Sequence, residues 1–206
     1  MTTILSGTAL AQDITTIRDV HTSTPAFRDA VRRIGLHLAV EASKHLPSHD
    51  VDVTTPLTTT AGRVVDGTVV IVPILRAGLG LLQPFLDIMP YASVGYIGLK
   101  RDESTLEAEE YYQRLPPLSA TSTVIVIDPM LATGGSMVDA IHALKRAGAT
   151  SIIAVCLIAA PEGVTCVHRE HPNVRIVVAV QDEALNEHGY IVPGLGDAGD
   201  RLFGTL

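Results

Sequence analysis

The sequence has no tryptophan, and its three phenylalanines and five tyrosines leave aromatic residues at 4% of the chain. Yet 47% of it is hydrophobic. The apolar content therefore rests on Ala, Val, Ile and Leu, which suit buried parallel strands covered by helices and speak against an aromatic-rich β-sandwich. Positive charge is also short. A formal net charge of −7 excludes broad binding to nucleic acid or to an anionic membrane, since either partner needs a basic face. An anionic ligand has to be held locally. Cysteine is scarce, with two in the chain. Cys156 lies in the apolar run from Ser151 to Ala160 and Cys166 among polar neighbours, and neither has a CxxC or histidine-spaced partner, so reduced thiols in a cytoplasmic setting are expected. No apolar run reaches the length of a membrane span, and no basic segment followed by an apolar stretch opens the sequence, which adds the expectation of a soluble, non-exported protein.

Over 206 residues the pattern reads as one domain covering 1–206. Thr24-Pro25 is a good helix start, and Phe27, Val31, Ile34, Leu38 and Ala42 follow at helical spacing, which predicts an N-terminal amphipathic helix over 24–46, stopped by Pro47. The Thr-rich stretch from Thr54 to Thr60 is expected to be a loop or an exposed edge strand. From Gly67 onward short apolar runs read as buried strands: Thr68 to Leu75, Val94 to Leu99, Val124 to Ile127, Ile152 to Ile158 and Ile176 to Val180. Helical stretches at Leu79 to Met89, Ser136 to Ala147 and Glu162 to Glu170 separate them, so the expected fold is α/β, a central parallel sheet flanked by helices. Lys100 to Leu118 breaks the pattern. It is polar and acid-rich and ends in Pro116-Pro117, and a protruding arm or hood is the reading for an insertion of that length.

Val124-Ile-Val-Ile-Asp128-Pro129-Met130-Leu131-Ala132-Thr133-Gly134-Gly135-Ser136 spells a strand, an acid at its carboxyl end, a loop of small residues and a helix start. Such a loop holds anions: glycines let backbone N–H groups turn inward, Thr133 and Ser136 add hydroxyls, and the helix N-terminus favours a phosphate. Asp128 can accept hydrogen bonds from a ribose diol. Single Ser or Thr residues at such a turn more often only cap the helix; the combination here is more specific. The loop has no lysine, so it fails the GxxxxGK[ST] pattern of nucleotide-triphosphate loops. Arg76 closes another strand, in Pro73-Ile-Leu-Arg-Ala-Gly-Leu-Gly80, where a guanidinium points into the crevice at the sheet's carboxyl edge and can clamp diphosphate oxygens. An isolated arginine there would read as solvated surface; the adjoining glycines argue otherwise. Near the C-terminus, Gly194, Gly196 and Gly199 match G-x-G-x-x-G. With the sequence stopping at Leu206 no βαβ unit is expected after them, so a dinucleotide fingerprint, and with it a dinucleotide-dependent oxidoreductase, is rejected. The stretch is expected to be an irregular loop whose backbone faces a flat ligand. His188 within it reads as a structural or partly buried histidine rather than a catalytic one.

Asp-Pro-Met-Leu-Ala-Thr-Gly-Gly at 128–135, Pro-Ile-Leu-Arg-Ala-Gly-Leu-Gly at 73–80 and the glycine-rich stretch at 185–204 together resemble the uracil phosphoribosyltransferase family of type I phosphoribosyltransferases. The resemblance runs from about Arg18 to the C-terminus, with the motifs in the family's order. It implies that uracil and phosphoribosyl pyrophosphate are converted to UMP and diphosphate. It also implies that Arg76, Arg101, Asp128, Pro129, Met130, Leu131, Ala132, Thr133, Gly134, Gly135, Ser136 and Asp197 bind phosphoribosyl pyrophosphate. Of these, Arg76, Arg101, Asp128 and Asp197 act in catalysis, Arg101 reaching diphosphate from the hood. Ile191, Gly196, Asp197 and Ala198 in the loop at about 185–200 then bind uracil. Many phosphoribosyltransferases carry two adjacent acids at the strand end where Pro129 follows Asp128 here, so Mg²⁺ is expected to enter with the diphosphate. A homo-oligomer, dimer or tetramer, is usual in the family, and a GTP effector occurs in some members. The sequence departs at Gly7-Thr8-Ala9, where the family usually has His-Pro-Leu, and at Val40 in place of a tyrosine; Glu107, Glu109 and Glu110 crowd the hood. The rival is a pyrimidine-responsive RNA-binding regulator on the same fold, against which the acidic balance argues.

Overall fold

The computed structural model describes residues 1–101 and 108–205. The chain opens with β1 (Thr2–Ile4), α1 (Thr8–Arg18) and α2 (Thr24–Ser43), followed by β2 (Ser48–Thr54), β3 (Thr59–Val65) and β4 (Thr68–Leu75). After α3 (Leu79–Ile88) come β5 (Ser93–Val94), β6 (Tyr96–Arg101), β7 (Ala108–Arg114) and β8 (Ser122–Leu131). Then α4 (Gly135–Arg146), β9 (Ser151–Ala159), α5 (Pro161–Glu170) and β10 (Arg175–Gln181) complete the alternating part, and β11 (Ala184–Leu185), β12 (Ile191–Val192) and α6 (Ala198–Phe203) end it.

Eight strands form the main sheet in the order β1-β10-β9-β8-β4-β6-β7, with β5 beside β4. All its pairs are parallel except β6 with β7. Each central strand is buried on both faces, and side-chain alternation divides it between two cores. Ile71, Ile125, Ile127, Val155 and Val177 pack with Phe27, Ile34 and Leu38 of α2, Leu81 and Phe85 of α3 and Leu202 of α6. Val70, Val72, Val124, Val126, Ala154 and Val178 pack with Met137, Ile141 and Leu144 of α4 and Val167 of α5. The β-branched residues that replaced aromatics in the composition are thus the sheet.

Three regions are more regular than the sequence reading described them. The Thr-rich stretch is the turn of an antiparallel hairpin, β2 with β3, that forms its own two-stranded sheet. The hood is a continuation of the main sheet, since β6 and β7 pair antiparallel from Tyr96 with Arg114 to Arg101 with Ala108. Its residues 102–107, including Glu107, lie outside those described. The C-terminal loop is less irregular than expected: β11 pairs with β12, and six residues form α6. Short elements of two to six residues carry too few apolar repeats to show a period. The N-terminal segment likewise supplies β1, parallel to β10, and α1, which buries Leu10 and Ile17.

Candidate active site

β8 ends beside the centre of the sheet, and there its backbone gives way to the start of α4. Gly134 takes φ 91°, in the left-handed region, as the residue before the helix. A side chain there would also press on Cys166 Cβ at 2.8 Å and the Gly163 carbonyl at 2.9 Å, so glycine is required twice over. Gly134 brings no side chain of its own to the start of α4, and the dipole of this twelve-residue helix favours an anion there.

This helix start lines a cavity of about 400 Å³ with Arg76, Ala77, Asp128, Met130, Leu131, Ala132, Thr133, Gly135 and Ser136 on one side and His188, Tyr190, Asp197 and Ala198 on the other. The residues come from three separate stretches brought together at the carboxyl ends of β4 and β8, the usual ligand crevice of a parallel sheet. Asp128 is half-buried, and burial pushes its carboxyl up to about 7, opposed by the Met130 N–H at 3.5 Å from Oδ1. Arg76 is exposed, follows a cis peptide bond from Leu75, and has its guanidinium carbon 5.8 Å from the ring centre of Phe203. Asp197 caps α6, Oδ1 accepting from the Asp200 N–H at 2.9 Å. No group of three or more His, Cys, Asp or Glu side chains suited to a metal occurs among the described residues.

Pro129, Ile191 and Gly196 lie off this wall. Alternation along β8 turns Pro129 away from the face of Asp128 and Met130, and Ile191 is buried in the core beside α2 and α6. Arg101 ends β6 and pairs with Ala108, which fixes its backbone; its side chain is outside the described set. His188 is not the partly buried histidine expected. It is exposed on the cavity wall, with Nε2 3.4 Å from Glu187 Oε1. Asn186 sets this turn by accepting on Oδ1 the N–H groups of His188 at 3.0 Å and Tyr190 at 2.9 Å. An Asn followed three residues later by Gly189 was the available signal for that turn.

The C-terminal loop is anchored from behind. Asp182, buried just past β10, receives Arg18 on both carboxylate oxygens, at 2.5 and 3.0 Å, and the Gly194 N–H at 2.8 Å. Arg18 also donates to the Gly194 carbonyl at 2.8 Å. None of these contacts was legible in the sequence, because the partners are far apart in the chain.

Comparison with known proteins agrees with this geometry. Residues 4–205 match the uracil phosphoribosyltransferase family. Uracil phosphoribosyltransferase of Anoxybacillus flavithermus is 53% identical over 193 residues, 93% of this chain and 92% of that one. The enzyme of that name from a Thermoanaerobacter species is 50% identical over 203 residues, 98% of this chain and 97% of its own. A solved protein from Aquifex aeolicus superposes with a TM-score of 0.91 at 39% identity, covering 98% of both chains. Adenine phosphoribosyltransferase of Trypanosoma brucei shares the fold, with a TM-score of 0.52 at 17% identity over 82% of this chain and 69% of its own.

Proposed function

The chain belongs to the uracil phosphoribosyltransferase family, and we propose that it joins uracil to the ribose 5-phosphate of phosphoribosyl pyrophosphate, releasing diphosphate and forming UMP in pyrimidine salvage. The observation that carries this reading is the cavity lined together by the start of α4, the Asp128 carboxylate, Arg76 and residues between His188 and Gly199. Phosphate and sugar each have a wall of suitable chemistry, and of the residues assigned to the base Asp197 and Ala198 line the same cavity.

The 5′-phosphate is assigned to the backbone of Ala132, Thr133, Gly134, Gly135 and Ser136, with Met130 and Leu131 leading into it and Pro129 shaping the strand end. Asp128 is assigned to the ribose hydroxyls. Its carboxyl at about 7 is held there by burial, and both a hydroxyl donor and a positive sugar ring favour the carboxylate form. Displacement at the anomeric carbon passes through an oxocarbenium-like state with a uracil ring nitrogen as nucleophile. Arg76, and Arg101 from the hood, neutralise the departing diphosphate, while Asp197 stands beside the reacting centre. Positioning and charge neutralisation then supply most of the rate.

Uracil is assigned to backbone groups of Ile191, Gly196 and Ala198. Fixed backbone donors and acceptors cannot exchange roles, so cytosine would leave buried groups unpaired. Mg²⁺ fits as an ion that arrives with diphosphate, because the cavity offers the separate carboxylates of Asp128 and Asp197 rather than a cage. When bound it would add positive charge beside the leaving group. The reading includes a homo-oligomer, for which the β2–β3 hairpin offers exposed Val53, Leu57 and Val64, and a GTP effector, which rests on the family likeness alone. It also includes a cytoplasmic location; no described helix is long and apolar enough to cross a membrane.

The test is product formation by the purified protein from phosphoribosyl pyrophosphate with uracil, cytosine, hypoxanthine or orotate. UMP from uracil alone is expected. Comparable turnover of cytosine would overturn the base assignment.

A further inference from the structure

Arg201 lies in α6, outside the cavity wall, yet it reaches the loop that the proposed function assigns to uracil. Its Nη1 donates to the Leu195 carbonyl at 2.8 Å and to the Ile17 carbonyl, and its Nη2 donates to the Asp19 carbonyl at 2.7 Å. The guanidinium carbon sits 4.3 Å from the ring centre of Phe27. Arg18 treats the preceding carbonyl, Gly194, in the same way at 2.8 Å, while Asp182 takes the Gly194 N–H. Two consecutive carbonyls are thus turned toward two cations.

The peptide bond between Leu195 and Gly196 is trans, so its carbonyl and its N–H point in opposite directions. Holding the Leu195 carbonyl on Arg201 therefore aims the Gly196 N–H away from the body of α1 and α2. Gly196 is exposed, and its N–H meets no acceptor among the described residues. A donor is oriented and left open.

We propose that Arg201 is a positioning residue for base recognition, setting the direction of the Gly196 N–H by gripping the far side of the same peptide. This rests on the assignment of uracil to that loop. A guanidinium suits the task because its planar fork serves three carbonyls at once and its face stacks on Phe27; an ammonium keeps the charge but loses the fork. The mere tether of the C-terminus would need none of this directionality.

The experiment compares Arg201→Lys with wild type by steady-state kinetics in both substrates, by calorimetric titration with phosphoribosyl pyrophosphate alone, and by thermal melts. The expected result is a KM for uracil raised about tenfold or more, with affinity for phosphoribosyl pyrophosphate unchanged within about two-fold. An equal loss for both substrates, or an unchanged KM for uracil, would overturn the proposal and leave Arg201 a structural tie. Should Arg201→Lys fail to fold, Arg201→Gln, which keeps one donor for the Leu195 carbonyl but loses the fork, decides in the same way. Failure of the underlying reading looks different, since wild type itself would then not turn over uracil.

Discussion

The phosphate loop and the C-terminal loop face each other across one cavity but are built on opposite plans. The first is continuous: Asp128 lies in a core strand, Thr133 and Gly134 follow that strand and Ser136 stands in the first turn of a twelve-residue helix, so neighbouring strand and helix set its course. The second has strands of two residues and a helix of six, and it takes its shape from Arg18, Asp182 and Arg201, residues set in α1, past β10 and in α6. A site element that rides on rigid secondary structure carries its own positioning. One that does not has to borrow charges from elsewhere.

The largest effects are expected where the first loop meets charge. Arg76→Ala should lower kcat/KM for phosphoribosyl pyrophosphate by about 10² or more, as for loss of a transition-state clamp; near-wild-type kinetics would reduce Arg76 to a surface arginine. Asp128→Asn should lower kcat by about 10² while raising the melting temperature at pH 7, because it removes a carboxylate that burial disfavours and that the proposed function assigns to the sugar. If Asp128 only accepted the Met130 N–H at its strand end, the substitution would be mild for activity, since the Asn Oδ1 accepts as well.

A smaller effect follows from the same carboxyl. Its folded value of about 7 lies above the ordinary 3.8, so between these values the folded chain holds a proton that the unfolded chain has released. The stabilising contribution of that proton is present below about pH 4 and is lost as pH rises to about 7. Denaturant unfolding at several pH values should show this fall in wild type and its absence in Asp128→Asn. The smallest effect is expected from the second loop's exposed histidine. His188→Ala should change kcat by less than about tenfold, whereas loss of a general acid or base costs about 10² to 10⁴. A larger loss would place a proton transfer on a side that the present assignment leaves to backbone groups.

The two plans also explain what the sequence revealed. Strands such as Thr68–Leu75 and Ser151–Ala159 are runs of Val, Ile and Leu buried on both faces, and α2 keeps its apolar residues at a helical period, so composition and spacing were enough. The passage from Asp128 to Ser136 was legible as a strand running through a glycine loop into a helix for the same reason, its residues being adjacent in the chain. His188 and Tyr190 were not, because their place on the wall depends on the turn around Asn186 rather than on any periodicity. The clamp of Arg18 on Asp182 joins residues that no local pattern relates. The antiparallel β7 was hidden by its acidic composition, which reads as solvated loop until Tyr96 to Arg101 is seen to pair with it.

On the proposed function, the two loops divide the substrates, the first holding phosphoribosyl pyrophosphate and the second the base. Each loop has a glycine in the left-handed region whose replacement collides with its surroundings: Gly134, φ 91°, with Cys166 and Gly163, and Gly194, φ 67°, with the Ile191 carbonyl at 2.1 Å. The direct measurement is calorimetric titration of phosphoribosyl pyrophosphate, without uracil, into folded Gly134→Ala and Gly194→Ala beside wild type. Binding weakened about tenfold or more in Gly134→Ala and retained within about two-fold in Gly194→Ala is the expected result. Equal loss in both variants would contradict the division.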